Sequence, residues 1–256
     1  HCRHLTFFAI LVGLWMPPHL QSAWQHTFQP KSSEQEFPVR AELVNWVMIC
    51  LLCVIGYLGF RTFPCLTKLE VDRSTYPVNA MQFLEDHQLR GRTVVTFNWA
   101  QYALACFAQE KDVQARSTVA IDGRYTTCYS PETIDIYFDF ILGKEYKGRR
   151  YRSIRSGAIN PEKALTHKNP ELFIIDRNQK SSVKTMEAHQ DQWTLLYQDG
   201  LAQIWGLKSK YDDPQSKDFL HPARRDVTDI PQNGRVPYPA LPVQRIVWQS
   251  AMVTRQ

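Results

Sequence analysis

Apolar and polar positions follow two regimes along this chain. Residues 43–60 read LVNWVMICLLCVIGYLGF, with no charge inside the run and Glu42 and Arg61 bracketing it. Eighteen helical residues at 1.5 Å each span about 27 Å, close to a hydrocarbon core of roughly 30 Å. In lipid every backbone polar group must be satisfied within the segment, so this run predicts a transmembrane helix. Trp46 and Tyr57 near its ends suit the membrane interface. An earlier apolar stretch, 5–16, stops at Pro17-Pro18. With its neighbours it makes a second candidate span over about 4–20, and it also fits a signal-peptide-like segment. A polar linker, 21–41, separates the two, so residues 1–64 read as a membrane region.

From about residue 75 the periodicity changes. Ala80, Phe83 and Leu84 fall at helical spacing, with Gly91 placed to end that helix. Thr93–Phe97 reads as a buried strand, Trp99–Ala108 as a helix and Thr118–Ile121 as a second strand. Ser130, Pro131 and Glu132 form a helix start of N-cap, first position and acidic first turn. Behind them Ile134, Tyr137, Phe138 and Ile141 share a face. Asn160-Pro161 starts a further short helix. Leu172–Ile175 is a third strand and 181–190 a helix. Trp193–Gln198 and Leu201–Leu207 flank Asp199-Gly200, a two-residue hairpin signal. Strands alternating with helices predict a mostly parallel sheet with helices packed on it, closed by a C-terminal antiparallel hairpin at its edge. The expected fold is therefore membrane helices followed by a soluble α/β domain over 75–207. The remainder, 208–256, holds six of the fifteen prolines and no sustained period, and is expected to be an extended, disordered tail.

Charge changes the picture only locally. The net charge is +5, too mild to argue for nucleic acid. Residues 144–155 nevertheless contain six basic residues and only Glu145 as an acid. That stretch reads as a solvated loop, as a contact for anionic lipid head groups, or as a contact for a lipid-linked phosphate. Charges around the second span are balanced, so the positive-inside rule gives no orientation. The chain begins with His and runs straight into apolar sequence, and is read as the C-terminal part of a longer protein.

Candidate chemistry is sparse. The sequence has no P-loop, G-x-G-x-x-G, H-E-x-x-H or G-x-S-x-G. No catalytic residue, metal ligand set or cofactor site is assigned. Cys50 and Cys53 lie inside the apolar run, where a thiolate is poorly solvated; Cys106 and Cys128 are a candidate disulfide or redox pair. The most pointed motif is Ile121-Asp122-Gly123-Arg124-Tyr125. It follows a predicted strand, at the end of a sheet where ligands usually bind. Asp122 and Arg124 there could present a carboxylate and a guanidinium to a polar ligand such as a sugar or phosphate; the favoured reading is a tight turn stabilised by Gly123, with the two in a structural ion pair. Trp99, after the preceding strand, is a candidate stacking platform, with Tyr102, Tyr125 and Tyr129 as further aromatics of one cleft. The candidate ligand-binding set is Trp99, Asp122, Arg124 and Tyr125.

Together, Tyr76-Pro77-Val78-Asn79-Ala80, Phe83-Leu84, Gly91, Phe97-Asn98-Trp99-x-x-Tyr102, Ile121-Asp122-Gly123-Arg124, Tyr129, Trp193 and Tyr197-x-Asp199 resemble the C-terminal domain of certain bacterial polytopic membrane proteins. Those proteins are similar to type-C glycosyltransferases, the class of the protein mannosyltransferases and lipid-linked aminoarabinose transferases. The likeness covers about 65–207, and departs from the family pattern at Ala100, where glycine is common. It implies a bacterial inner-membrane protein whose C-terminal domain faces away from the cytoplasm. It further implies catalytic carboxylates in an earlier loop outside this sequence, and hence an accessory role for this part beside a bilayer and a lipid-linked sugar. The alternatives are a non-enzymatic membrane-anchored binding or assembly module, and a tethered redox protein using Cys106 and Cys128.

Overall fold

A computed structural model describes residues 41–110, 116–146, 148 and 151–243, with short helical pieces at 12–13, 15–19 and 21–22. The chain divides into two units, residues 1–63 and 64–256. Most of the first expected span and of the linker lies outside the described residues, as do Lys147, Arg149, Arg150 and 244–256.

The second expected span is a helix, α1, Ala41–Thr67. Its window Asn45–Pro64 is 20 residues of mean hydropathy 1.8, and none of it is buried. Twenty residues rise about 30 Å, enough to cross a bilayer. Among the described residues this is the one helix of that length and character. It runs seven residues past the expected end at Phe60, because Arg61 and Thr62 are ordinary helix residues; the Thr62 hydroxyl donates back to the Leu58 carbonyl at 2.8 Å. Pro64 sits inside its last turn, where it removes one backbone N–H from the ladder.

The second unit is a three-layer α/β arrangement. Its elements are β1 (Glu70–Asp72), α2 (Val78–Asp86), β2 (Arg92–Val95), α3 (Ala100–Phe107), β3 (Thr118–Val119), α4 (Pro131–Leu142), α5 (Lys163–Thr166), β4 (Leu172–Asp176), α6 (Lys180–Ala188), β5 (Trp193–Gln198), β6 (Ala202–Leu207), α7 (Lys208–Tyr211), β7 (Asp226–Val227) and β8 (Arg235–Pro237). The six-stranded sheet has the order β3-β2-β4-β6-β5-β7, and β1 pairs with β8 in a separate two-stranded ribbon. β2 pairs in parallel with β3 and β4, and β5 with β7; β6 alone runs against its neighbours.

Both faces of this sheet are covered, which explains the uninterrupted apolar run of β4. Leu172 and Ile174 face one core with α2 and α3, and Phe173 and Ile175 face the other with α4, α5 and α6. A bulge between Leu195 and Tyr197 shifts the register of β5. It carries Leu196 and Tyr197 into the first core, while Trp193 stays in the second. The α4 start forms as expected, with Thr133 N–H donating to the Ser130 hydroxyl at 3.3 Å.

Three expectations need correction. The helix at 78 ends at Asp86, not near Gly91; Gln88 takes the left-handed turn (φ 52) and Gly91 immediately precedes β2. The hairpin does not form the sheet edge. Its second strand, β6, lies between β4 and β5, and β7 pairs outside β5. Finally, 208–243 is not an extended, disordered tail. Leu220 and Tyr211 are buried in the first core. Arg225 donates to Thr194 at 2.9 Å and pairs with Asp212, and Gln232 donates to the buried Asp199 carboxylate. Such a segment is held by tertiary partners, so it needs no periodicity of its own.

Candidate functional site

The carboxyl ends of β2, β3 and β4 lie along one edge because the three strands run in parallel. After β2 the Thr96 hydroxyl accepts Asp176 N–H at 2.9 Å. This stops the strand, and the chain turns through a 3-10 segment, Phe97–Trp99. Phe97 enters the second core, while Asn98 is exposed and has no side-chain hydrogen bond among the described residues. Trp99 goes the other way. It is buried in the first core, its indole N–H donating to the Thr75 carbonyl at 2.9 Å. Trp99 therefore offers no open face for stacking, contrary to the sequence-based expectation. Tyr102 also belongs to that side, packing edge-on against Tyr76 and donating to the Ala240 carbonyl.

After β3 the chain buries Ile121 and then Asp122, which is 1% exposed. The Asp122 carboxylate takes five contacts. Arg124 supplies its backbone N–H at 2.8 Å, Nε at 3.0 and 3.1 Å, and Nη2 at 2.6 Å. The Tyr129 hydroxyl supplies the fifth at 2.8 Å. These bonds, those of Arg124 first, hold the carboxyl at about 2, below the usual carboxylate range. Burial and the bond to Asp122 push the Tyr129 phenol up. The structural ion pair considered from the sequence is thus present, but it has an open side. The Arg124 side chain is 61% exposed. A guanidinium has five N–H donors; Asp122 takes Nε and one hydrogen of Nη2, the Tyr129 hydroxyl also lies against the group, and donors are left on its exposed side.

Gly123 lies under the Gln101 side chain of α3, whose Nε2 is 2.3 Å from where a Cβ would be, so a larger residue there would have to push that flexible amide aside. Tyr125 takes φ +50, a conformation that costs a non-glycine residue about 1–2 kcal/mol. Its ring packs near Phe97 and Phe138, with centroids 6.1 and 6.0 Å apart. The site therefore gathers Asp122, Arg124, Tyr125, Tyr129, Phe97 and Phe138, and leaves Trp99 and Tyr102 in the other layer.

Two further features escaped the sequence reading. A cleft of about 720 Å³ opens between the end of α4 and the start of α6, lined by Lys144, Glu162, Lys180 and Lys184 among others. It shares no residue with the 121–129 segment. Gly143 shapes it, with φ +69 and the Ser181 hydroxyl 2.5 Å from where its Cβ would be. The second feature is a pair of buried carboxylates, Asp135 and Asp139, on α4. Their spacing of four residues was the available signal, masked by the apolar residues around them.

The candidate redox pair is not supported. Cys106 and Cys128 are both free thiols, one buried and the other exposed. Burial pushes the Cys106 thiol up to about 12, so it carries almost no thiolate at neutral pH. Among the described residues no three His, Cys, Asp or Glu side chains gather to hold a metal ion. In comparisons with protein-family models, curated proteins and solved structures, no match to this chain was found.

Proposed function

We propose that this chain is an accessory part of a type-C glycosyltransferase-like membrane protein. In this reading α1 anchors the chain in a bacterial inner membrane and the α/β domain faces away from the cytoplasm. The domain recognises the phosphate of a lipid-linked sugar and performs no transfer itself. The observation that supports this is the braced arginine at the carboxyl edge of the sheet. Asp122 fixes one edge of Arg124, and the other edge meets solvent. A guanidinium held this way is pre-oriented for a phosphate, at less entropic cost than a free side chain. The long, exposed apolar helix Asn45–Pro64 supports anchoring, and the resemblance carries the assignment to the class.

The test is binding of a polyprenyl-phosphate-linked hexose to the full chain in nanodiscs. Arg124→Gln is expected to weaken binding about tenfold or more, and Arg124→Lys to restore only part of it, because lysine cannot take the bidentate brace. Binding that is unchanged in Arg124→Gln, or absent in the parent chain, refutes the proposal. Turnover of the ligand by the chain alone would favour a catalytic role over an accessory one.

A further inference from the structure

We infer that the turn 151–156 is a lipid-contact apex, whose Tyr151 and Ile154 enter the head-group region of an anionic bilayer beside Arg155. The turn is clamped from below. Asp135 and Asp139 lie one helical turn apart on α4 and are 4% and 0% exposed. Asp135 accepts the Ser153 backbone N–H at 2.8 Å and the Ser156 hydroxyl at 2.5 Å. Asp139 accepts the Asn160 backbone N–H at 3.0 Å and pairs with Arg152. The Arg152 guanidinium then reaches the carbonyls of Gly157, Ser156 and Ala158 at 3.1–3.2 Å. Burying two carboxylates is costly unless each is well bonded, so a large investment fixes this stretch of backbone.

What the clamp displays is apolar. Tyr151 is 93% exposed and Ile154 101% exposed. A single exposed apolar side chain needs no explanation. Two held out on one braced turn, both more than nine-tenths exposed among the described residues, mark a contact surface. The charge around them selects the occupant. Residues 144–155 carry six basic residues and one acid in sequence; Arg152 is taken up by the clamp, and among the described residues of this stretch Lys144 and Arg155 are the exposed cations. Basic residues that flank an aromatic and an aliphatic side chain match an anionic membrane interface, where phosphates meet the acyl boundary. The inference rests on the proposed anchoring by α1 and is independent of Arg124.

The experiment is hydroxyl-radical footprinting of the full chain in nanodiscs, with a free tyrosine peptide as dosimeter. Discs of phosphatidylcholine alone are compared with discs that also contain phosphatidylglycerol. Oxidation of Tyr151 and Ile154 is expected to fall several-fold in the anionic discs. Lys144→Gln and Arg155→Gln, both surface changes, are expected to reverse this, each weakening contact about fivefold; circular dichroism checks that they fold. Equal oxidation in both discs overturns the inference. Protection that ignores lipid charge and rises with protein density also overturns it, in favour of contact between copies. A chain that fails to co-elute with discs overturns the anchoring itself, an outcome distinct from an anchored chain with Tyr151 still open.

Discussion

Replacing Asp139 with Asn removes the charge beneath the 151–160 loop while keeping the side chain's shape. Asp139 is 0% exposed, and Arg152 keeps 17% side-chain exposure. Breaking a fully buried pair costs about 3–5 kcal/mol. Here the guanidinium retains three carbonyl partners and some water, and the amide oxygen can still accept the Asn160 N–H. The expected loss is therefore smaller, about 2–3 kcal/mol, or about 5–10 °C in melting temperature for a unit of this size. Arg152→Met is expected to cost at least as much. The double variant Asp139→Asn/Arg152→Met should cost less than the sum of the two by about 1–2 kcal/mol, since each single change strands the same interaction. The assay is urea unfolding of the full chain in mild detergent, followed by tryptophan fluorescence. Trp193 and Trp205 are buried in the core that α4 covers and report on it directly. Additivity within about 0.5 kcal/mol, or single losses below that value, would refute the clamp.

Two further outcomes follow from the titrating groups. Thiol labelling of the folded chain at neutral pH, mapped by mass spectrometry, should modify exposed Cys128 and spare Cys106, whose thiol is pushed up to about 12 by burial; equal labelling would contradict the core packing of α3. Asp122 is held at about 2, below an ordinary carboxyl near 3.9. A depressed folded value means that the contribution of the Asp122–Arg124 pair, the latch of this turn, is complete above about pH 4 and is lost as pH falls toward 2. Arg124→Gln should let the carboxyl rise, so that acid unfolding seen by circular dichroism begins at a higher pH than in the parent; an unmoved acid transition would count against the latch.

What could be read from the sequence was what local physics decides. Ser130-Pro131-Glu132 starts α4 because a cap, a fixed φ and an acidic first turn act within four residues. The run Leu172–Ile175 reads as a strand because both of its faces are buried. The apolar run at 43–60 reads as a long helix because no charge interrupts it. The parts that were not legible depend on distant partners. The strands β7 and β8 have two and three residues, too few for a period, and form by pairing with β5 and β1. Asp199-Gly200 signals a hairpin but cannot say that β6 will pair with β4. The same limit governs the site. The sequence placed Asp122, Arg124 and Tyr125 on one turn, and the structure keeps them together. It could not tell which way Trp99 faces, because the 3-10 turn after β2 splits Phe97 and Trp99 between the two cores.

Under the proposed function, the geometry of the 121–125 turn also narrows the ligand class. Recognition of a sugar hydroxyl usually needs an acceptor for its proton. Asp122 looks like one in sequence, yet its two oxygens already take five contacts and its side chain is 2% exposed. The group with charge to spare is the guanidinium of Arg124, whose outer N–H groups can only donate; the exposed amide of Asn98 offers both a donor and an acceptor. A phosphate, which brings acceptors and negative charge, satisfies these groups; a neutral hydroxyl array leaves the guanidinium charge unmatched. The left-handed conformation of Tyr125 fits the same reading. Glycine or asparagine would adopt that conformation at less cost, although Gln88, Lys168 and Ala240 also carry a positive φ in this chain. The chain instead keeps an aromatic side chain that is 38% exposed, beside Phe97 and Phe138. An apolar ring next to an anion-directed arginine suits a ligand that joins a phosphate to a nonpolar group.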